Sequence, residues 1–234
     1  MRAKIPNNQD KYLSVIYDEE LRPYTKYPLH LTKFIFETCN MKKGQKILDI
    51  GCGRGEFLSG FINHGLLGSG VDKNIQVAQK NCPNAIVKMS DIEKDGLPFK
   101  DKSYDFVFSK SVIEHFYNPD KLMIEAKRVL KPEGTIITMC PSWEHNYKIY
   151  FEDYTHRSPF MKQSLQDIHA IHGFVNINVK YFIQLPIVWK KMGFLILPLV
   201  LFTRFFVPRK LSNIFKWVRF SKEVMLLSIA KKQK

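Results

Sequence analysis

Apolar and polar positions along the chain switch between two periods. Short apolar runs recur at Lys46-Ile47-Leu48-Asp49-Ile50, Gly68-Ser69-Gly70-Val71-Asp72, Ala85-Ile86-Val87-Lys88-Met89, Tyr104-Asp105-Phe106-Val107-Phe108 and Thr135-Ile136-Ile137-Thr138-Met139. Runs of this length, bounded by turn residues, predict buried strands of a parallel sheet. Helical stretches lie between them, over Glu56–His64, Asn74–Asn81 and Asn118–Leu130. The last opens with Asn118-Pro119-Asp120, an N-cap followed by a proline in the first turn, where no hydrogen bond is lost. It stops at Lys131-Pro132-Glu133-Gly134. Residues 10–40 read as helices, with Leu31, Phe34 and Ile35 on one face. Alternation of strand and helix predicts an α/β, Rossmann-like, doubly wound sheet with right-handed connections and a ligand crevice at the carboxyl ends of its strands. Two further strands are expected at Phe174–Tyr181 and Glu223–Ala230, with an irregular segment, 182–222, between them.

Composition narrows the class without fixing it. A chain of 234 residues, 45% hydrophobic, can bury one substantial core and a small appendage. The expected organisation is an N-terminal helical lid over 1–40 and a main domain over 41–234 that carries the 182–222 insertion. Cys39, Cys52, Cys82 and Cys140 are far apart and form no C-x-x-C pair, which argues against metal knuckles and a disulfide framework. No metal-ligand set is read from the sequence. Met1–Asp10 is polar and does not resemble a secretory leader, so a cytoplasmic protein with reduced thiols is expected.

The glycine-rich stretch Asp49-Ile50-Gly51-Cys52-Gly53-Arg54-Gly55 lies between the first predicted strand and the first predicted helix. Glycines there allow a tight turn and let a ligand lie against bare peptide, and the helix that follows offers free N–H groups. Asp72, ending the second strand, is placed to accept hydrogen bonds from ribose hydroxyls. A dinucleotide-binding G-x-G-x-x-G is the competing pattern, but the third glycine falls one residue early for it.

Ile47-Leu48-Asp49-Ile50-Gly51-Cys52-Gly53-Arg54-Gly55-Glu56-Phe57 resembles the first motif of class I S-adenosylmethionine-dependent methyltransferases. Val71-Asp72 resembles their second motif and Ser90-Asp91-Ile92 their third. Phe106-Val107-Phe108-Ser109 through Ile113-Glu114-His115-Phe116 resembles their fourth, and Leu130-Lys131-Pro132-Glu133-Gly134 the turn before their fifth strand. The resemblance implies a seven-stranded sheet whose last strand, here Glu223–Ala230, is antiparallel, and S-adenosyl-L-methionine as cofactor. It further implies that Gly51, Gly53 and Gly55 form the cofactor loop, that Asp49 orders the methionine amino group and that Asp72 holds the ribose. Asp91 would bond the adenine amino group, Ile92 would pack on its ring, and the backbone near Ser109 would touch the methionine end.

The acceptor is less legible. Base methylases of the family carry Asn-Pro-Pro-aromatic or Asp-Pro-Pro-Tyr after the fourth strand, whereas this chain has Ser109-Lys110-Ser111-Val112, which argues against exocyclic amines of nucleic-acid bases. In a quinone-making branch of the family, a pair like Glu114-His115 helps place the acceptor, either directly or through a metal. The segment Phe151-Glu152-Asp153-Tyr154-Thr155-His156-Arg157-Ser158-Pro159-Phe160 follows the fifth strand and resembles one found in methyltransferases of bacterial surface-polysaccharide gene clusters. Asp153 is expected to orient His156 as general base, with His115 as the alternative and Ser158-Pro159 opening the next helix. The expected acceptor is a hydroxyl of a sugar, glycolipid or polysaccharide precursor. A quinone-like lipid is the alternative, and a non-catalytic cofactor-binding partner of a glycan-assembly complex is the reading from another class.

Charge singles out the C-terminal part. Lys and Arg number 36 against 22 acids, a net +14, and from Phe182 onward the only acid is Glu223. The uncharged run 192–203 is too short for a bilayer span, which needs about 20 residues, and Pro198 interrupts it. Leu211, Ile214, Phe215 and Val218 are spaced as one helical face, away from Lys210, Lys216 and Arg219. Apolar residues with tryptophan and flanking cations suit peripheral contact with an anionic membrane. A lid over the sheet and a dimer interface remain open at this point. Nucleic acid is disfavoured, because aliphatics rather than stacking residues accompany the charge.

Overall fold

The computed structural model describes residues 23–234. The part of the expected N-terminal lid before residue 23 lies outside the described residues. The chain forms two compact units, the first ending at Pro98 and the second beginning at Phe99.

In the first unit, helix α1 (Tyr27–Thr38) precedes strand β1 (Lys46–Ile50), helix α2 (Glu56–Asn63), strand β2 (Leu67–Asp72), helix α3 (Gln76–Asn81), strand β3 (Ile86–Met89) and helix α4 (Ile92–Asp95). β1 pairs parallel with β2, and β2 parallel with β3. Ile47, Leu48 and Ile50 are wholly buried, as the unbroken apolar run of β1 predicts. α1 turns Leu31, Thr32 and Ile35 inward, while Phe34 is only half-buried. Gly60 of α2 admits that face, since a Cβ there would lie 2.5 Å from the Thr32 hydroxyl.

The second unit holds strand β4 (Tyr104–Lys110), helix α5 (Pro119–Val129), strand β5 (Leu130–Pro141), helix α6 (Trp143–Asn146) and helix α7 (Lys162–Ile171). Strand β6 (Phe174–Ile183), helix α8 (Leu197–Phe206), helix α9 (Lys216–Lys222) and strand β7 (Val224–Lys232) complete it. Asn118 caps α5 as expected, its side chain accepting from the Asp120 amide at 3.2 Å. β5 begins five residues earlier than its apolar pattern suggests. The expected turn is absorbed into the strand as an irregularity, the register stepping from Tyr104 opposite Leu130 to Phe106 opposite Thr135.

The seven strands run in the order β3-β2-β1-β4-β5-β7-β6. β7 lies antiparallel to both β5 and β6. The expected seven-stranded sheet with an antiparallel last strand is therefore the observed one.

Two local expectations fail. Ser158-Pro159 does not open α7, which starts at Lys162 with Met161 as N-cap. Ser158 instead donates its hydroxyl to the Phe116 carbonyl at 2.9 Å. Leu211, Ile214, Phe215 and Val218 do not form one helical face either. A short 3-10 turn covers Arg209–Asn213, Phe215 is extended (φ −111°, ψ 111°), and α9 begins only at Lys216. The chain thus breaks where the periodicity had assumed continuity.

Candidate active site

Within the first unit, the glycine loop is shaped by left-handed backbone at Gly51, Gly53 and Gly55 (φ 71°, 52° and 80°), which side chains with a Cβ rarely adopt. The amides of Gly51 and Cys52 donate to the Val71 carbonyl at 2.8 and 3.1 Å, fastening the bend to the end of β2. Asp72 stands at that end. Its Oδ2 accepts the Gly53 amide at 2.8 Å and its Oδ1 the Asn74 amide at 3.2 Å, so two backbone groups orient the carboxylate.

Asp49 is 2% exposed, and its Oδ2 has no hydrogen-bond partner among the described residues. Burial, with the Asp72 charge adding to it, holds its carboxyl well above the ordinary carboxylate range. A buried acid of this kind is an acceptor that an ammonium group would satisfy. Asp91 presents the same feature on a smaller scale. Its Oδ2 pairs with Lys73 at 3.2 Å and Lys94 at 3.6 Å, while its buried Oδ1 has no partner among the described residues. Ile92 is 5% exposed. These residues fit an adenosyl ligand with an amino-acid tail: hydrogen-bond acceptors for ammonium, ribose and an exocyclic amine, beside an apolar side chain.

The second unit supplies a different chemistry. Ser109 sits in β4, wholly buried, with its hydroxyl unpartnered among the described residues. Glu114 and His115 occupy a 3-10 turn, Ile113–His115, after that strand. Asp153 and His156 follow another, Tyr150–Glu152. Backbone bonds join these stretches, because the Arg157 and Ser158 amides both donate to the Glu114 carbonyl, at 2.7 and 3.0 Å. The rings of His115 and His156 come to 4.8 Å, centroid to centroid.

The hydrogen bonds correct the expected pairing of Asp153 with His156. Asp153 Oδ1 accepts the Thr155 amide at 3.0 Å and the Thr155 hydroxyl at 2.5 Å. Thr155 Oγ1 in turn lies 2.9 Å from His115 Nδ1. The hydroxyl's single proton goes to the carboxylate, so the oxygen must accept from His115, which assigns the proton to Nδ1 and leaves Nε2 bare. Asp153 therefore orients His115, through Thr155. His156 is set differently, with Nδ1 2.6 Å from the Tyr150 carbonyl, an acceptor only, so Nδ1 carries a proton there. Thr155 lies in the segment that the sequence singled out, but its relay role, like the part Tyr150 plays, comes from a contact that the fold creates.

Burial decides the protonation states here. His115 is pushed down to about 4 by burial first and by the neighbouring His156 second, so the ring is neutral at pH 7. Glu114 is wholly buried, and burial raises it to about 8 against the pull of its own and the Val112 backbone amides and of Lys110. Asp153 ends below its ordinary value because the Thr155 hydroxyl and amide outweigh its own partial burial. Glu114, His115 and His156 each bring one donor atom within 4.8 Å of the others, a set that could hold a cation; the sequence marked the Glu114-His115 pair, and the fold adds His156. Exposed aromatic rings flank the cluster in sequence: Tyr117, with the Arg157 guanidinium 5.1 Å from its centroid, and Tyr154.

Comparison with known proteins bears on the fold and the donor chemistry. A family model described as a methyltransferase domain matches residues 48–138. An uncharacterised protein of Methanocaldococcus jannaschii is 33% identical over 117 residues, covering 50% of this chain and 55% of the relative. A ubiquinone biosynthesis O-methyltransferase of Pasteurella multocida is 27% identical over 124 residues, covering 47% of this chain and 51% of the relative. The chain thus spans about half the length of these curated relatives. Among solved structures, a SAM-dependent methyltransferase from Archaeoglobus fulgidus superposes with a TM-score of 0.62 at 24% identity, covering 93% of this chain and 99% of that one. The fold is the α/β Rossmann-like fold of these methyltransferases.

Proposed function

We propose that this chain is an S-adenosylmethionine-dependent methyltransferase that methylates a hydroxyl group, on a sugar of a glycolipid or polysaccharide precursor at the inner face of a membrane. The observation that carries the donor half is the glycine bend closed onto Asp72 beside the buried Asp49, whose Oδ2 has no partner among the described residues. In this reading Asp49 takes the amino group, Asp72 the ribose hydroxyls and Asp91 the adenine amine, with Ile92 under the ring and the strand around Ser109 serving the methionine end. S-adenosylmethionine supplies a methyl group already activated on a sulfonium, so the protein has chiefly to align the nucleophile, worth about 7–11 kcal/mol of barrier.

An alcohol must also lose its proton. His115 and His156 are the groups for it, each with its Nδ1 fixed by a partner and its Nε2 left for the acceptor hydroxyl. A positioned base of this kind contributes about 10²–10⁴-fold. Exposed Tyr117 and Tyr154 offer flat faces on which a sugar ring can pack. A quinone-like lipid is the second reading, favoured by the Glu114–His115 pair and by the relative that methylates in ubiquinone biosynthesis.

Calorimetry with S-adenosylmethionine and its demethylated product tests the donor half, and absence of binding by folded protein would overturn the proposal. A methyl-transfer screen over lipid extracts, nucleotide sugars and quinone precursors then chooses between the acceptors. Binding without transfer to any of them, unchanged by His115→Ala or His156→Ala, would point instead to a non-catalytic partner.

A further inference from the structure

Helix α8 is built inside out. Its inward face carries Val200 and Thr203, both buried. The Thr203 hydroxyl donates to the Leu199 carbonyl at 2.8 Å and accepts the Trp217 indole N–H at 3.1 Å. Arg204 donates from Nε to the Ser221 carbonyl at 2.9 Å. The helix is therefore pinned to its own unit largely by polar groups. Its remaining circumference is apolar and open to solvent: Phe205 and Phe206 are each 73% exposed, and Phe202 and Leu199 also point outward. Phe194 and Leu195, in the turn before the helix, extend the same exposed apolar surface.

A helix on a water-soluble surface turns its apolar residues in and its polar residues out, and one that is apolar all round belongs in a core or in lipid. Helix α8 has ten residues, half of what a span needs, and no helix among the described residues is long and apolar enough to cross a membrane. The flanks decide what covers it. Lys190, Lys191, Lys210 and Lys216 are exposed and make no ion pair among the described residues. Residues 183–222 contain no acid at all. A second copy of the chain set against this face would bring cations against cations, whereas a leaflet of anionic lipid answers both the charge and the apolar area.

We propose that this face docks on a bilayer surface containing anionic lipid, with Phe205 and Phe206 entering the acyl boundary and the lysines lying among the headgroups, their stems along the apolar surface. Docking itself needs no methyl transfer. That the acceptor is drawn from the same surface, and so is lipid-linked, rests on the activity proposed above.

The test is co-sedimentation of the full chain with vesicles of phosphatidylcholine alone or mixed with phosphatidylglycerol, with affinity for S-adenosylmethionine measured on the same samples. Binding to the mixed vesicles is expected, weakened several-fold in pure phosphatidylcholine and by high salt, which shortens the screening length. Phe205→Ser with Phe206→Ser should lower vesicle partitioning by about tenfold or more, and Lys190→Glu with Lys191→Glu should remove the preference for phosphatidylglycerol. Two results overturn the proposal: no partitioning of the wild-type chain into either vesicle, or lipid-free self-association that the phenylalanine variant abolishes. Loss of cofactor binding alone would strike the activity and leave the docking standing.

Discussion

Thr155 stands between a carboxylate and an imidazole, its hydroxyl 2.5 Å from Asp153 Oδ1 and 2.9 Å from His115 Nδ1. One hydroxyl has one proton to give, so this placement fixes both the tautomer and the tilt of the His115 ring. Thr155→Val keeps the shape and removes the relay. It is expected to lower kcat by about tenfold to a hundredfold, as loss of a base's orienting partner does, while KM for S-adenosylmethionine stays unchanged. Full activity in that variant would shift the proton-accepting role to His156.

Asp72 receives two backbone amides besides its proposed ribose contact. Asp72→Ala removes the proposed ribose acceptor and should weaken cofactor affinity by about tenfold to a hundredfold, since a hydrogen bond to a charged group contributes about 1.5–3 kcal/mol. Calorimetry checks this. A melting curve taken beside it separates lost affinity from lost fold.

Gly55 has φ 80°, and a Cβ there would meet Cys82 Sγ at 2.9 Å and the α3 backbone at Ala78 Cα at 3.3 Å. Gly55→Ala is therefore expected to destabilise the fold by about 1–3 kcal/mol, combining left-handed strain with a backbone clash. Chemical denaturation measures it. An unchanged midpoint would show that the loop relaxes more cheaply than its packing suggests.

His169 is wholly buried between the Leu165 carbonyl and the Thr138 hydroxyl, and burial pushes it down to about 4. The unfolded chain takes up this proton near pH 6.5, the folded one only near 4, so the unfolded state binds more protons between those values. Stability accordingly falls as pH drops from 6.5 to 4, by up to about 3 kcal/mol for this residue. His169→Leu should be less stable at pH 7 because it strands the Thr138 hydroxyl, yet flatter across that acid range. An equally steep profile in the variant would assign the acid loss elsewhere.

Local chemistry determined much of this protein by itself. The run Lys46–Ile50 and the glycines behind it mark a strand and a bend through short-range sterics, which contacts to Val71 and Asp72 then fasten. Asn118-Pro119 likewise fixes a helix start. The tertiary structure alone decided which side chains share an environment. Asp153 and His156 are near neighbours in sequence, yet the carboxylate reaches His115 through Thr155, because the Glu114 carbonyl captures the Arg157 and Ser158 amides and draws two distant turns together. The same holds for α8, whose composition reads as core-forming until packing turns Thr203 inward and Phe205 and Phe206 out. Periodicity says which residues share a face, but which face is buried depends on what the rest of the chain sets against it.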